Sequence, residues 1–195
     1  MVNEITIKSK IKPYIEEATI QMVIDILAIL FISVVLIVAK MPSIVCIMVP
    51  LCYLAIALFF HYRIAIQSLI DKHKENYITE IVSIKSIDEE YSFAGDRLGH
   101  SYIRHLYPKD MNVWKCKIKV VDKNGEQKNL RAVMSSKQSL KFMVLETEKI
   151  EYLQITYLKH SKILLHVDLA EEPVQFTGKR KKVIEKAIHC INSLV

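Results

Sequence analysis

The chain has 195 residues, a length that excludes more than one ordinary domain with an accessory segment. Hydrophobic residues make up 51% of it and charged residues 25%, and the mean hydropathy of +0.21 is high for a soluble protein with so many charges. Apolar and charged residues are therefore expected to be segregated along the chain. The net charge of +6 is mild and suits a protein that lies beside an anionic membrane leaflet.

Two apolar runs predict a transmembrane hairpin at residues 22–62. Residues 22–39 contain one charge, Asp25, and residues 43–60 contain none. Each run of about 18 residues forms roughly 27 Å of helix, close to the ~30 Å hydrocarbon core of a bilayer. The alternative is a buried helix pair in a soluble protein, which should show a polar face that these runs lack. A cleaved signal peptide is excluded, because its apolar region is shorter and starts closer to the N-terminus.

Basic residues near the ends of the runs predict the orientation of the hairpin. The N-terminal arm, residues 1–21, has three lysines and residues 61–75 have three basic residues, whereas the turn at 40–43 has only Lys40. By the positive-inside rule, both termini lie in the cytoplasm, and the protein is a multi-pass protein of the inner (plasma) membrane. We expect Asp25 to lie at the membrane interface or between the two helices. A pore of several hairpins stays an alternative.

The rest of the chain predicts a helical stalk at residues 63–75 and a cytoplasmic domain at residues 76–195 that is rich in β-strands. Its clearest strand is "VWKCKIKVV", where apolar residues alternate with lysines, and an Asn-Gly turn leads into the next strand. The strands are expected at 77–87, 102–107, 113–121, 127–134, 150–158 and 163–169, and the helices at 136–146 and 179–194. In residues 77–87 isoleucines also recur every three positions, so a helix stays the alternative to a strand there.

The predicted fold class is therefore a membrane protein with a two-helix transmembrane hairpin plus an α+β soluble domain. That domain is a small antiparallel β-barrel or a curled sheet with a C-terminal helix, since a closed or curled sheet protects its edges. The chain has four cysteines without C-x-x-C spacing: Cys46, Cys52, Cys116 and Cys190. A zinc site is therefore not expected, and in the cytoplasm the thiols are expected to be reduced.

This layout resembles two families of bacterial membrane proteins. "WKCKIKVVDKNG" at 114–125 and "EYLQITYLKHSKILLHVDL" at 151–169 are similar to the strands of NfeD-type proteins, in which a tight two-span hairpin precedes an OB-like barrel. A strand-rich domain that ends in a helix also resembles bacterial pleckstrin-homology-like domains on two-span anchors. The resemblance covers most of the chain and implies an architecture, not a set of catalytic residues.

Two groups of residues are candidate sites. Asp96, His100, His105 and Asp110 lie in one polar segment, and His/Asp clusters can hold a ligand or a metal or transfer protons. Lys179, Arg180, Lys181 and Lys182 open the last helix, where four cations oppose the helix dipole and an anionic lipid headgroup would relieve the conflict. Phosphate-binding and hydrolase motifs are missing from the sequence, so neither a catalytic residue nor a cofactor is predicted.

The leading hypothesis is a membrane-anchored binding or regulatory module without catalytic activity. Its expected partners are the lipid bilayer, anionic headgroups, and a protein partner or a second copy of the chain. Nucleic acid is disfavoured, because few aromatic residues interleave the lysines of strand 113–121. One alternative is a ligand-triggered effector with a nucleotide-sensing barrel, similar in layout to the β-barrel effectors of cyclic-nucleotide anti-phage systems. A second alternative is a hydrolase that uses the 96–110 segment.

Overall fold

The computed structural model describes residues 4–89, 113–147, 153–170 and 178–193. The helices are α1 (Glu4–Val38), α2 (Ser43–Phe60), α3 (Arg63–His73), α4 (Ser136–Thr147) and α5 (Gly178–Asn192). The strands are β1 (Tyr77–Glu89), β2 (Val113–Asp122), β3 (Gln127–Ser135), β4 (Leu153–Leu158) and β5 (Leu164–Leu169). Three consecutive helices thus precede the described strands, and α3 lies within the range predicted for the helical stalk, residues 63–75.

The helices α1 and α2 form an antiparallel hairpin that is long and apolar enough to span a membrane. The most apolar 18-residue windows of α1 and α2 have mean hydropathies of 2.8 and 2.5, and only 6% of each window is buried. A core helix of a soluble protein would bury most of such a window, so the exposure argues against the soluble alternative. The helix α2 has the bounds of the second predicted span, residues 43–60.

The helix α1 is one continuous element of 35 residues, about 52 Å long at 1.5 Å per residue. It has no break at residue 22, where the apolar run begins. Residues 4–21, which the sequence analysis treats as an arm, are the first turns of this helix and pack on the sheet through Ile7, Ile11 and Tyr14. A single helix therefore joins the sheet to the apolar hairpin.

The five described strands form one antiparallel sheet in the order β3-β2-β1-β4-β5. The central strand β1 pairs with β4 over residues 77–82 and with β2 over residues 82–89. The edge strands approach each other at one place, where the backbone N–H of Arg131 donates to the carbonyl of Lys162 at 2.8 Å. Of the two predicted arrangements, a barrel or a curled sheet, the closed barrel is wrong for these strands, because only this isolated bridge joins the edge strands and the sheet stays open.

Apolar side chains cover both faces of the sheet. The larger core lies on the face that carries α4 and α5, and it includes Leu130, Leu153 and Tyr157 from the strands with Phe142 and Ile184 from the helices. The smaller core lies on the opposite face, under the first half of α1. There, the neighbours of the α1 side chains are Val133, Leu158, Ile163 and Leu165. The sheet therefore buries side chains on both of its faces, whereas the alternating sequence pattern predicts one buried face and one solvent-facing face.

A buried glutamine fixes α4 against α5. Ser135 and Gln138 form a capping box at the start of α4, in which the Ser135 backbone N–H donates to Gln138 Oε1 at 3.0 Å. The Gln138 amide nitrogen donates to the carbonyls of Cys190, Ile191 and Ser193, at 2.9 Å for the last. These carbonyls end α5 without intrahelical partners, so Gln138 satisfies both helix ends.

The described elements agree with most of the predicted ones. Residues 77–87 are part of a strand, so the helical alternative there is wrong. The two hairpins, the inserted helix and the C-terminal helix are present within a few residues of their predicted bounds. The predicted strand at 102–107 lies outside the described residues.

Candidate functional site

A cleft of about 750 Å³ lies between the start of α1, the end of α3 and the face of the sheet that α1 partly covers. The helices contribute Glu4, Ile7 and Lys72, and the strands contribute hydroxyl, amide and imidazole side chains such as Thr156 and His166. Its volume falls in the usual range for small-molecule sites, ~300–1,000 Å³. The cleft is the candidate functional site.

Carboxylates outnumber cations in the lining of the cleft. Glu4, Glu75 and Asp168 carry negative charge, and Lys72 carries the positive charge, with its ammonium 4.0 Å from a Glu4 carboxylate oxygen. Burial raises the pKa of Tyr77, and the nearby carboxylates of Glu75 and Glu4 raise it further. The Tyr77 phenol is thus protonated at neutral pH. This lining suits a small polar ligand that is positively charged or rich in hydroxyl groups.

The strand residues of the cleft are positioned by the pairing of β1, β4 and β5. Thr79 and Thr156 are directly opposite in the β1–β4 ladder, and their hydroxyl oxygens lie 3.0 Å apart. His166 is opposite Thr156 on the other side, in β5. Three neighbouring strands therefore present polar side chains at the same level of the same face.

The wall of the cleft formed by α3 is fixed to the sheet by a buried carboxylate. The Asp71 carboxylate accepts hydrogen bonds from the backbone N–H groups of His160 and Ser161, at 2.9 and 3.0 Å, and from the Ser161 hydroxyl at 3.2 Å. His160 Nδ1 lies 2.5 Å from the second carboxylate oxygen. We call Asp71, His160 and Ser161 the Asp71 latch, which ties α3 to the β4–β5 turn.

The charge of Asp71 is stabilised in spite of its burial. Burial by itself raises the pKa of Asp71, but the hydrogen bonds from Ser161 and His160 outweigh it and hold the pKa below its usual range. The carboxylate is therefore ionised at neutral pH, and it accepts four contacts while it is fully buried. The ionised Asp71 side chain therefore helps to hold α3 against the β4–β5 turn.

A second buried carboxylate joins the two helices of the hairpin. Asp25 of α1, 2% exposed, accepts hydrogen bonds from the hydroxyls of Tyr53 and Tyr62, at 2.9 and 2.6 Å, and from Gln21 Nε2 at 3.0 Å. His61 Nδ1 lies 3.0 Å from Oδ2, the same Asp25 oxygen that accepts the hydrogen bond from Tyr62. The prediction of an inter-helix role for Asp25 is confirmed. We call these five residues the Asp25 hub, which fixes the junction between α2 and α3.

A polar cluster also lies at the edge of the larger core. Lys128 of β3 donates to the carboxylates of Glu80 at 2.7 Å and Asp122 at 3.1 Å. These contacts raise the pKa of Lys128, with the hydrogen bond to Glu80 as the largest cause, against the effect of burial. Burial, with Glu80 next, raises the pKa of the neighbouring Tyr157 phenol to about 12. Because Lys128 is ion-paired with both Glu80 and Asp122 within the fold, we interpret the cluster as structural.

The first predicted site, Asp96, His100, His105 and Asp110, lies outside the described residues. For the second, the backbones of Lys179 and Arg180 open α5, but their side chains are outside what the structure describes. Lys181 and Lys182 are exposed, and the Lys181 ammonium lies 3.9 Å from a Glu185 carboxylate oxygen. Among the described residues, no group of three or more His, Cys, Asp or Glu side chains is arranged to hold a metal.

Two of the three lysines of β2 contact carboxylates. Lys115 forms an ion pair with Glu17 of α1, and its ammonium lies 5.7 Å from the centre of the Tyr14 ring. Lys119 lies 2.7 Å from Asp88 of the neighbouring strand. The basic stripe seen in the sequence is therefore partly neutralised by acids within the fold.

The sequence analysis missed the cleft and the Asp71 latch. Thr79, Thr156 and Asp168 look like ordinary residues of a solvent-facing strand surface, and only the strand order brings them together. Comparison of the chain with protein-family models, characterised proteins and solved structures gives no match. The geometry of this chain is therefore the basis on which a function can be proposed.

Proposed function

We propose that this protein is a membrane-anchored binding and regulatory module. In this proposal, α1 and α2 insert into the inner (plasma) membrane and the sheet domain lies at the cytoplasmic face, where its cleft binds a small polar ligand. The observation that carries the proposal is the continuity of α1. Its first turns form a wall of the cleft and cover the smaller core, and its last turns are apolar and exposed.

Basic residues support the cytoplasmic placement of the sheet domain. Lys8, Lys10 and Lys12 precede the apolar part of α1, and basic side chains also follow α2, whereas the turn between α1 and α2 has Lys40 alone. Because positively charged flanks stay on the cytoplasmic side, the turn faces outward.

The position of the cleft supports a regulatory role. Glu4 and Ile7 belong to the same helix as the hairpin, and Lys72 follows directly after the latch residue Asp71. A ligand that draws α1, α3 and the strands together would act on both helices that lead to the hairpin. A ligand can shift such an equilibrium only by its difference in affinity for the two states, so the contacts to α1 and α3 are the important ones.

The strand arrangement also favours one of the two resemblances. A five-stranded, partly open sheet in which one bridge joins the edge strands is similar to the OB-fold, a five-stranded and partly open barrel. We therefore favour the NfeD-type resemblance over the pleckstrin-homology-like one, from which the helix after Ser135 departs.

Cysteine labelling in intact bacterial cells tests the placement. In a chain with its four native cysteines replaced by alanine, we introduce Lys40→Cys in the α1–α2 turn or Asn124→Cys in the exposed β2–β3 turn. A membrane-impermeant maleimide should label Lys40→Cys in intact cells and Asn124→Cys only after permeabilisation. The opposite pattern would contradict the orientation, and recovery of the chain in the soluble fraction would contradict insertion.

Native mass spectrometry of the full chain in detergent tests the cleft. Thr156→Trp places a large side chain in the cleft, and Asn129→Trp is the matched control at an exposed strand position outside it. The wild-type chain and the control should retain a small co-purified molecule that the Thr156→Trp chain lacks. The same excess over the chain's own sequence mass in all three chains, or no excess in the wild-type chain, would contradict ligand binding in the cleft.

A ligand-triggered membrane effector is the second candidate function. The Asp71 latch and the Asp25 hub favour it, because they form polar attachments at both ends of α3, between the sheet and the hairpin. The acidic lining of the cleft disfavours an anionic ligand there, so in this candidate function a nucleotide binds elsewhere on the sheet domain. The full chain in dye-loaded vesicles should release dye when a cyclic nucleotide is added, and Asp71→Asn should abolish the response. Vesicles that stay intact across the common cyclic nucleotides would leave the anchored binding module as the better account.

A further inference from the structure

The outer face of α4 is an exposed apolar patch on the sheet domain. Its inner residues Phe142 and Leu145 are fully buried in the larger core, whereas Leu140 is 61% and Met143 48% exposed. Among the described residues from Tyr77 onward, Val183 is the one other exposed large apolar side chain. Exposed apolar residues on a water-soluble surface are normally scattered singly, so two neighbouring ones on the same helix face indicate a contact with an apolar partner.

Lysines flank this patch. Lys137 is exposed and Lys141 is partly exposed, and they lie three residues before Leu140 and one residue after it. We call Lys137, Leu140, Lys141 and Met143 the α4 face. Apolar side chains with lysines beside them are typical of helices that lie in a membrane interface, where the lysines contact anionic headgroups.

The contacts of α1 show which end of the sheet is nearer the apolar run. Lys115, near the start of β2, is ion-paired with Glu17, which is five residues or about 7.5 Å of helix before Met22. The other end of the sheet, at Tyr77, lines the cleft with Glu4, which is 18 residues or about 27 Å of helix before Met22. The start of β2 is thus the end nearer the hairpin.

The helix α4 begins at this same end. Lys115 pairs with Val133 in the β2–β3 ladder, and Ser135, two residues later, caps α4. Because Phe142 and Leu145 point into the core, the opposite side of α4 is turned away from the sheet at the end nearer the hairpin. The headgroup region of a bilayer adds about 5–7 Å to each side of the hydrocarbon core, which reduces the distance that α4 must bridge.

From these observations we propose that the α4 face rests on the same lipid bilayer that holds the hairpin, with Leu140 and Met143 at the headgroup–acyl boundary and Lys137 and Lys141 on anionic headgroups. This inference rests on the proposed function, since it needs the hairpin to be inserted. It gives the sheet domain a membrane contact of its own, in addition to its links to the hairpin through α1 and α3, and it fixes the tilt of the domain. The partner is an anionic lipid surface.

Tryptophan quenching by brominated lipids tests the contact. The chain has a single tryptophan, so Trp114→Phe supplies a background in which one new tryptophan reports its own depth. We compare Leu140→Trp with Val183→Trp, a matched exposed apolar position on α5, and with Phe31→Trp in the apolar half of α1. The full chain is reconstituted in vesicles of phosphatidylcholine and phosphatidylglycerol that are brominated near the headgroup end of the acyl chains for the α4 and α5 variants, and deep in the acyl chains for Phe31→Trp, which lies near the centre of the proposed span.

We expect fluorescence at Leu140→Trp to fall roughly twofold, because an interfacial helix inserts its apolar face about 5–10 Å into the boundary region. Val183→Trp should stay unquenched and Phe31→Trp should be quenched. Absence of quenching at Leu140→Trp with quenching at Phe31→Trp overturns the α4 contact and leaves the proposed function intact. Absence of quenching at Phe31→Trp instead overturns hairpin insertion.

Two further variants separate the α4 face from other causes. Met143→Trp repeats the test at the second apolar position and should be quenched as well. It keeps the test valid if the Leu140→Trp chain fails to fold. Lys137→Gln with Lys141→Gln should reduce the quenching at Leu140→Trp in anionic vesicles, whereas Lys181→Gln with Lys186→Gln on α5 should not. Quenching at Val183→Trp equal to that at Leu140→Trp would overturn the proposal and favour the basic start of α5 as the lipid contact.

Discussion

The two halves of α1 share one helical backbone and have opposite surroundings. In the first half Ile11 is 1% and Tyr14 3% exposed, whereas in the second half Leu27 is 62% and Phe31 71% exposed. Six charged residues lie in 4–21, and Asp25 is the one charge in 22–38. The helical backbone therefore does not determine the surroundings of each half. The pattern of charged residues does: the charged half packs on protein, and the apolar half requires another apolar partner, for which we propose lipid.

The largest effect is expected from a cavity under the first half of α1. Ile11→Ala should lower the free energy of unfolding of the sheet domain by about 3 kcal/mol, since Ile11 is fully buried among β-strand side chains. Denaturant unfolding of the full chain in detergent, followed by Trp114 fluorescence, measures the change.

The matched control for this cavity is Leu27→Ala in the second half. It should change the same unfolding transition by less than about 0.5 kcal/mol, because Leu27 does not contact the sheet core. Similar losses for both variants would show that the two halves of α1 do not differ as their exposure indicates.

A charge introduced into the apolar second half of α1 tests the other side of the comparison. Phe31→Asp should disfavour membrane insertion by about 3 kcal/mol, the usual cost of a carboxylate near the centre of a spanning helix. The carbonate-resistant membrane fraction of expressing cells measures it. Thr19→Asp, at an exposed position before the apolar run, is the control and should insert normally. Normal insertion of Phe31→Asp would contradict lipid as the partner of this half.

The Asp71 latch extends the comparison to α3. Asp71→Asn should lower stability by about 2 kcal/mol near pH 6, because a buried, charge-assisted set of hydrogen bonds is weakened. The control is Asp88→Asn, which changes a partly exposed pair with Lys119 and should cost little.

The pH dependence of this difference follows from the lowered pKa of Asp71. A carboxylate whose pKa is lower in the folded state stabilises the fold above its unfolded pKa of ~3.9 and loses that contribution as the pH falls through the folded pKa. The gap between wild type and Asp71→Asn should therefore be full near pH 6 and shrink below about pH 4. A gap that is constant down to about pH 3 would show that the charge of Asp71 is not what stabilises the latch.

Much of the fold could be predicted because it depends on local patterns. Alternation in 113–121 and 163–169, the Asn-Gly turn and the length of the apolar runs each require only neighbouring residues. The packing of residues 4–21 on the sheet could not be predicted in this way. Ile7, Ile11 and Tyr14 have helical spacing, but their partners Val133 and Leu158 lie more than a hundred residues further along the chain.

The candidate site was hidden for the same reason. The cleft depends on the order β1-β4-β5, and strand order depends on long-range pairing that a period of two does not encode. Asp71 has no local partner that marks it, since the latch joins it to a turn about ninety residues away. Asp25 was recognised because a lone carboxylate in an apolar run is conspicuous at the level of the sequence.

The smallest expected effect lies at the boundary between the halves of α1. Glu17 is ion-paired with Lys115, and their side chains are 31% and 13% exposed, so a double-mutant cycle with Glu17→Gln and Lys115→Met should give a coupling of about 1 kcal/mol. The more exposed pair Lys119–Asp88 should give a coupling near zero in the same assay. If the coupling energy at Glu17 is no larger than at Asp88, the part of α1 that packs on the sheet ends before Glu17, at Tyr14. Coupling that survives high salt would instead extend the packed half to within five residues of the apolar run, because a pair screened by protein responds less to salt than an exposed one.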